Sequence, residues 1–398
     1  MNPFRLKWLL PVLATVAVAG AYGLAERSDH AARPSSPLQS SETAPVVNPD
    51  IDLGSAALDV PAPDFYLRDQ NGRWRSLGQL RGKVVLLAFV DSQCTSICPL
   101  TSESMVRALR LLGPAASRVQ LLGINANPLA THIADVASYT RAHHMQGRWW
   151  FLTGSEPVLA RVWRTYHVYV AAVHGDIDHQ PIILMIDASG REREIYFTQM
   201  RYGGVGQQAE VLAEGIARIL PGHVVLRQPV SLKYVAPLRP DAIARLPAFG
   251  RAGGQVVIAP AQPHLVLFFA SWLNRARLPV MLAELDRYSI LGRRGSWPEP
   301  VAVDELPTEA PTAAWRRRMA HLADQLHIPV VADSRGRLAD GYGAQDLPWF
   351  ALTASGRILW QHDGWLSFAQ LTSQVRATWQ VSAARQRTTS LRAGTPRR

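Results

Sequence analysis

The hydrophobic pattern changes character along the chain. No charged residue occurs from Trp8 to Ala25, while Arg5 and Lys7 precede this run and Glu26, Arg27 and Asp29 follow it. Such a run (residues 1–25) predicts a membrane-targeting segment, either a cleaved signal or a retained single-pass anchor. The positive charges ahead of it put residues beyond about 26 on the extracytoplasmic (periplasmic) side. Residues 26–60 show no apolar period and carry Pro34, Pro37, Pro45 and Pro49, so they read as a flexible linker.

Regular elements begin near residue 61. Residues 65–67 and 74–77 flank a turn and predict a short hairpin, and the apolar run 84–90 predicts a buried strand. Leu100, Val106, Leu109, Leu111 and Leu112 then recur at helical spacing until Gly113 and Pro114. Strands follow at 119–124 and 150–152, with helices at 133–142 and 157–166. A hairpin of 182–186 and 194–197 and a helix at 209–220 close this first domain, 61–222. Alternation of this kind predicts an α/β sheet flanked by helices.

Residues 223–247 hold Pro229, Pro237, Pro240 and Pro247 and read as an inter-domain linker. The same order of elements then recurs across 248–380: strand 265–269, helix 278–288, strand 301–303, helix 312–326, strand 330–332 and a hairpin of 350–352 with 358–360. The tetrapeptide Ala-Ser-Gly-Arg even repeats in the hairpin turn of each unit, at 188–191 and 354–357. The pattern reads as two copies of one fold, followed by a basic tail at 381–398.

Composition narrows the function classes. A hydrophobic fraction of 47% supports sizeable cores, and the net charge of +11 is spread thinly, with part of it in the tail. No nucleic-acid motif accompanies that charge. The chain holds 2 cysteines, four positions apart, which is not the usage of a disulfide scaffold.

Those cysteines lie in Asp91-Ser92-Gln93-Cys94-Thr95-Ser96-Ile97-Cys98-Pro99, between the buried strand and the first helix. Pro99 sets Cys98 at the helix mouth, where the positive end of the helix dipole favours thiolate, the form that attacks disulfides and binds metals. Two thiolates select Cu(I), zinc or an iron-sulfur cluster, yet they cannot complete a four-thiolate site, so another ligand type is needed. Imidazole suits copper. His174 and His179 both lie just ahead of strand 182–186, where a thioredoxin-like sheet returns the chain to the cysteine turn. His132, His143, His144 and His167 fall on predicted helices or their ends and read as structural.

At these residues the chain resembles the Sco/SenC family of membrane-anchored copper proteins. The likeness covers about 60–222, with Cys-x-x-x-Cys-Pro, Arg81-Gly82-Lys83-Val84-Val85-Leu86-Leu87 ahead of it and Asp178-His179 before the returning strand. The resemblance implies a thioredoxin-like fold and copper, as Cu(I) or Cu(II), held by Cys94, Cys98 and His179. It further implies a metallochaperone acting on the copper-bearing subunit of cytochrome c oxidase. Thr95 departs from the family, many members of which have proline there, and His174 and Asp176 add candidate ligands nearby. A thiol-disulfide oxidoreductase, with Cys94 and Cys98 as the redox pair and a Cys94–Cys98 disulfide when oxidised, is the alternative. A thiol peroxidase is a more distant one.

In the second unit, residues 265–279 resemble the active-site segment of tethered thioredoxin-like reductases, with Trp272-Leu273-Asn274-Arg275-Ala276 where those have Trp-Cys-x-x-Cys. The unit therefore reads as a degenerate copy, without cysteines. Leu347-Pro348 matches the segment that carries the cis-proline of that fold. Trp272, Trp349 and Trp365 are candidate contacts to a partner, or core residues.

Overall fold

The computed structural model describes residues 47–393 except 58, 200, 223, 227–229, 252 and 293–296. The apolar segment of residues 8–25, with the linker up to residue 46 and the last five residues of the basic tail, lies outside the described residues. Among the described residues no helix is long and apolar enough to cross a membrane.

The first half runs β1 (Ser55–Ala56), β2 (Tyr66–Arg68), β3 (Trp74–Ser76), β4 (Val84–Val90), α1 (Ile97–Leu112), β5 (Val119–Asn125) and α2 (Ile133–Ala142). It continues with β6 (Trp149–Leu152), α3 (Glu156–Thr165), β7 (Val170–Val173), β8 (Asp176–His179), β9 (Ile182–Ile186), β10 (Glu192–Phe197) and α4 (Val205–Ile219). The second half runs β11 (Ala244–Pro247), β12 (Gln255–Ile258), β13 (His264–Phe269), α5 (Arg277–Gly292), β14 (Glu299–Glu305) and α6 (Ala313–Gln325). It ends with β15 (Val330–Asp333), α7 (Arg337–Tyr342), β16 (Trp349–Ala354), β17 (Arg357–Asp363) and α8 (Phe368–Ala393).

The fold is mixed α/β. Strand β4 is buried along its whole length because it is central and covered on both faces. Val84, Leu86, Ala88 and Val90 enter one core, while Val85, Leu87 and Phe89 enter the other. That explains its unbroken apolar sequence. Among the described residues the first sheet has the order β1-β10-β9-β4-β5-β6 and the second β15-β14-β13-β16-β17. Around β4, strands β5 and β6 continue in parallel on one side, while on the other β9 pairs antiparallel with β4 and β10 antiparallel with β9. Around β13, β14 and β15 continue in parallel on one side, while on the other β16 pairs antiparallel with β13 and β17 antiparallel with β16. Five strands thus share one order and one set of directions in both halves. The parallel steps are bridged by helices, as such crossovers require.

Several sequence expectations are corrected. The linker reading of residues 26–60 fails from residue 47 onward. Val47 bridges Lys233, Asn48 N–H donates to the Leu232 carbonyl at 2.7 Å, and Ser55 and Ala56 add an edge strand to β10. Main-chain pairing at a sheet edge needs no apolar period, so no local pattern marks it. The connection 223–247 ends in strand β11, paired with the unforeseen β12, and buries Ala244 and Leu246. Part of the expected basic tail continues helix α8 to Ala393. The Leu347–Pro348 peptide is cis, as the sequence suggested.

The halves share core. Leu100 of α1, Tyr202 and Val205 pack into the cluster built around the second sheet. Asp340 of α7 accepts hydrogen bonds from the N–H groups of Tyr202 (2.8 Å) and Gly203 (2.9 Å), and Arg107 Nη2 donates to the Pro307 carbonyl at 2.8 Å. Gly336 has φ +63° and backs directly onto Tyr202, where any Cβ would collide. Glycine is required there on both counts.

Candidate functional site

Beyond the end of β4, Asp91 folds the chain back on itself. Its Oδ1 accepts from Gln93 N–H (2.8 Å) and Asn127 Nδ2 (2.7 Å), and its carbonyl accepts from Cys94 N–H (3.3 Å). Burial pushes the Asp91 carboxyl above its ordinary range, with the hydrogen bonds from Gln93 and Asn127 pulling the other way. Helix α1 starts at Ile97, so Cys98 sits inside its first turn, one residue deeper than the mouth.

The two thiols are unequal. Cys98 is 2% exposed, whereas Cys94 is half-buried, and neither is in a disulfide. Cys94 Sγ accepts from Cys98 N–H at 3.4 Å and lies 3.4 Å from Ser96 Oγ. Hydrogen bonding from the Cys98 side chain, helped by Ser96 and the main-chain N–H groups, outweighs burial and holds the Cys94 thiol below its ordinary pKa. The same bond to Cys94, followed by burial, pushes Cys98 well above it. The pair is therefore biased, with Cys94 the thiol that ionises first and Cys98 the one that keeps its proton longer.

His179 ends β8. Residues 170–179 form a hairpin in which β7 pairs with β8 and Val170 faces His179. This hairpin delivers the imidazole to the cysteine turn. His179 Nε2 lies 3.9 Å from Cys98 Sγ, and Nδ1 lies 3.2 Å from the Gln180 carbonyl oxygen. A carbonyl only accepts, so Nδ1 carries the proton and Nε2 points a lone pair at the sulfur. Burial lowers the pKa of the ring and favours this neutral form. His174 sits exposed at the hairpin tip with φ +52°, and Asp176 is also exposed.

Among the described residues no three His, Cys, Asp or Glu side chains are gathered as a ready metal cluster. The 3.9 Å between Cys98 Sγ and His179 Nε2 is nonetheless shorter than about 4.3 Å, the sum of an ordinary metal–sulfur and metal–nitrogen bond. One soft ion can touch both, and the donor types suit copper. The third donor, Cys94, is at rest engaged with Ser96 and the Cys98 N–H.

Sequence reasoning missed two supports. Asn127 lies 36 positions from Asp91 and carries no local signal. Asp346, from the loop ahead of the cis-proline in the second half, lies near enough to Ser96 and Thr95 for their hydroxyls to offset part of the rise that burial gives its carboxyl.

The matching turn after β13 is built differently. Trp272 is 7% exposed, donates from Nε1 to Thr308 Oγ1 at 3.0 Å, and packs its ring 4.6 Å from that of His143. Burial, with the charge of His144 adding to it, drops His143 to a pKa of about 3. Trp349 is also buried, and Trp365 carries the Arg277 guanidinium over its ring at 5.3 Å. Trp272 and Trp349 are therefore spent inside the molecule rather than offered to a partner. Beneath Trp272, the Glu309 carboxylate accepts from both the N–H and the hydroxyl of Ser271, and Arg318 Nη2 donates to that hydroxyl at 3.0 Å. Burial raises the carboxyls of Glu309 and its neighbour Asp304.

The SCO1/SenC family model matches residues 56–216. The protein SCO2 homolog, mitochondrial, of Bos taurus is 35% identical over 141 residues, covering 33% of this chain and 52% of that one. Its Mus musculus counterpart is 33% identical over 172 residues, covering 41% and 64%. The matches thus span between about half and two thirds of these relatives' lengths. Among solved structures, Bradyrhizobium japonicum ScoI with copper bound is 26% identical, covers 40% of this chain and 100% of its own, and gives a TM-score of 0.34.

Proposed function

This chain belongs to the SCO1/SenC family through residues 56–216, and on that premise we propose that it binds copper as cargo through Cys94, Cys98 and His179 for assembly of the dinuclear copper site of cytochrome c oxidase. The observation that carries this reading is the 3.9 Å approach of His179 Nε2 to Cys98 Sγ, with Nδ1 committed to the Gln180 carbonyl. A tautomer fixed in this way leaves the ligating nitrogen free at neutral pH. Cys94, already biased toward thiolate, needs only to turn from Ser96 to join them. The Asp91–Asn127 pair holds the turn in place while it does so. Copper is the chemistry's charge and soft acceptor; the chain supplies donors, orientation and a half-buried setting.

The test is anaerobic copper titration of the chain against Cys94→Ala, Cys98→Ala and His179→Ala. Stoichiometric binding by the parent, and its loss in all three, supports the reading. Absence of binding by the reduced parent overturns it, and unchanged binding by His179→Ala removes that residue from the ligand set.

The inequality of the thiols favours a second activity, thiol-disulfide exchange. The Cys94 thiolate attacks a client disulfide, forming a mixed disulfide and releasing one client thiolate. Cys98 then loses its proton, attacks Cys94 and releases the second client thiolate, leaving a Cys94–Cys98 disulfide and a reduced client. His179→Ala separates the activities, since exchange survives it and metal binding does not.

The same reading includes two thioredoxin-like units, the second lacking thiols, held by the segment 1–25 at a membrane and facing the extracytoplasmic side. Carbonate extraction of membranes, with protease access from the outer face, checks the tether and the orientation.

A further inference from the structure

The two halves enclose a cavity of about 500 Å³ between the start of α4, the connection near residue 233 and the loop ahead of α7. Arg107, Arg201, Lys233, Arg335 and Arg337 line it, five cations against the three carboxylates of Asp50, Glu210 and Asp340. Those carboxylates are already committed. Asp50 lies 3.5 Å from Arg201, Glu210 accepts from Ser231 N–H at 2.9 Å, and Asp340 holds the N–H groups of Tyr202 and Gly203.

Three of the cations lack such a partner. Arg107 is paired with Glu103 at 2.8 Å, but among the described residues Lys233, Arg335 and Arg337 have no carboxylate within ion-pair distance. Arg337 spends only its Nε, on the Ala236 carbonyl at 2.8 Å. Three cations without an ion-pair partner, from two stretches of chain, therefore converge on one concave wall, where they outnumber Glu210 and Asp340, the two carboxylates bonded only to N–H groups. Their mutual repulsion is unfavourable, and a cleft with protein walls focuses their field on its interior. Nothing in the packing of the cores requires charge at these positions, since Lys233 and Arg335 are exposed.

We propose that this cleft binds an oxyanion of the phosphate class carrying two or more negative charges, with Lys233, Arg335 and Arg337 as its ligands. A guanidinium presents a planar fork that matches two phosphate oxygens, and an ammonium adds a compact point charge. The volume exceeds that of a single phosphate and takes a pyrophosphate or a phosphomonoester. A free phosphate compound and a lipid headgroup offer the same chemistry. Because the cavity is formed by both halves, an occupant bridges them and ties the second half to the cysteine-bearing first.

The experiment is calorimetric titration of the full chain with inorganic pyrophosphate at low ionic strength, beside flotation with phosphatidic acid vesicles and with neutral phosphatidylcholine vesicles. The comparison protein carries Lys233→Gln and Arg335→Gln together, exposed changes whose thermal unfolding without ligand should match the parent. Saturable one-to-one pyrophosphate binding, weakened at least about tenfold by the double substitution, supports the site with a soluble ligand. Preference for acidic over neutral vesicles, lost in the double variant, supports it with a headgroup. Binding of neither probe overturns the proposal. Equal binding of either probe by parent and variant also overturns it, since attraction then comes from the basic surface as a whole.

Discussion

The two halves place different chemistry on the same frame. In each, a fully buried strand leads through a short turn into a helix, with parallel strands on one side and antiparallel strands on the other. After β4 the turn is polar, held open by Asp91 and Asn127, and it leaves Cys94 within reach of solvent. After β13 the turn is closed by Trp272 and Leu273, both buried, over Ser271 and Glu309. The frame alone confers no reactivity. What the first turn has and the second lacks is two sulfurs among main-chain N–H groups and an imidazole brought by the β7–β8 hairpin. The second turn packs against His143, while the loop ahead of the cis-proline brings Asp346 beside the first.

The sharpest way to break this comparison is to remove the sulfurs. Cys94→Ala or Cys98→Ala is expected to weaken Cu(I) binding by roughly a hundredfold or more, measured anaerobically against a competing chelator. His179→Ala should cost at least about tenfold by the same measurement while alkylation of Cys94 continues.

Stability should reveal the opposite weighting. Trp272→Ala in the second turn is expected to cost roughly 3 kcal/mol in urea unfolding, through the cavity it leaves. Gly336→Ala should also destabilise, by collision with Tyr202 and by its positive φ. Because Leu100, Tyr202 and Val205 belong to the second core, a single transition reported alike from both halves is expected. Two separated transitions would show that the shared core does not couple them.

A smaller effect is expected with pH. The folded pKa of His143, about 3, lies below its ordinary 6.5, so between those values the unfolded chain holds a proton that the folded chain lacks. Stability from this group is full above about 6.5 and is lost as pH falls toward 3. Asp340, raised by burial from 3.8 to about 6, acts in the reverse sense, and its contribution improves as pH falls through that window. Urea midpoints from pH 7 to 4 should therefore fall more steeply in Asp340→Asn than in the parent, and less steeply in His143→Gln. The smallest change is expected from Ser96→Ala, which removes one hydrogen bond to Cys94 and should slow its alkylation at neutral pH by less than about tenfold.

The sequence by itself determined the strand–turn–helix around Cys94 and Cys98, the order of the main elements in both halves and the loss of thiols from the second. These follow from local patterns: an unbroken apolar run reads as a doubly covered strand, and proline and glycine mark where helices start and stop. Tertiary structure decided how the site is completed. His179 could be singled out from His174 by resemblance, but its approach to Cys98 depends on a hairpin whose residues carry no strong strand pattern. Asn127 and Asp346 reach the turn from distant stretches of chain, so no spacing announces them. The edge strand near residue 55 and the packed end of the inter-half connection are likewise made by main-chain pairing with remote partners. Periodicity records what a segment buries; it does not record which remote backbone or side chain the fold brings to it.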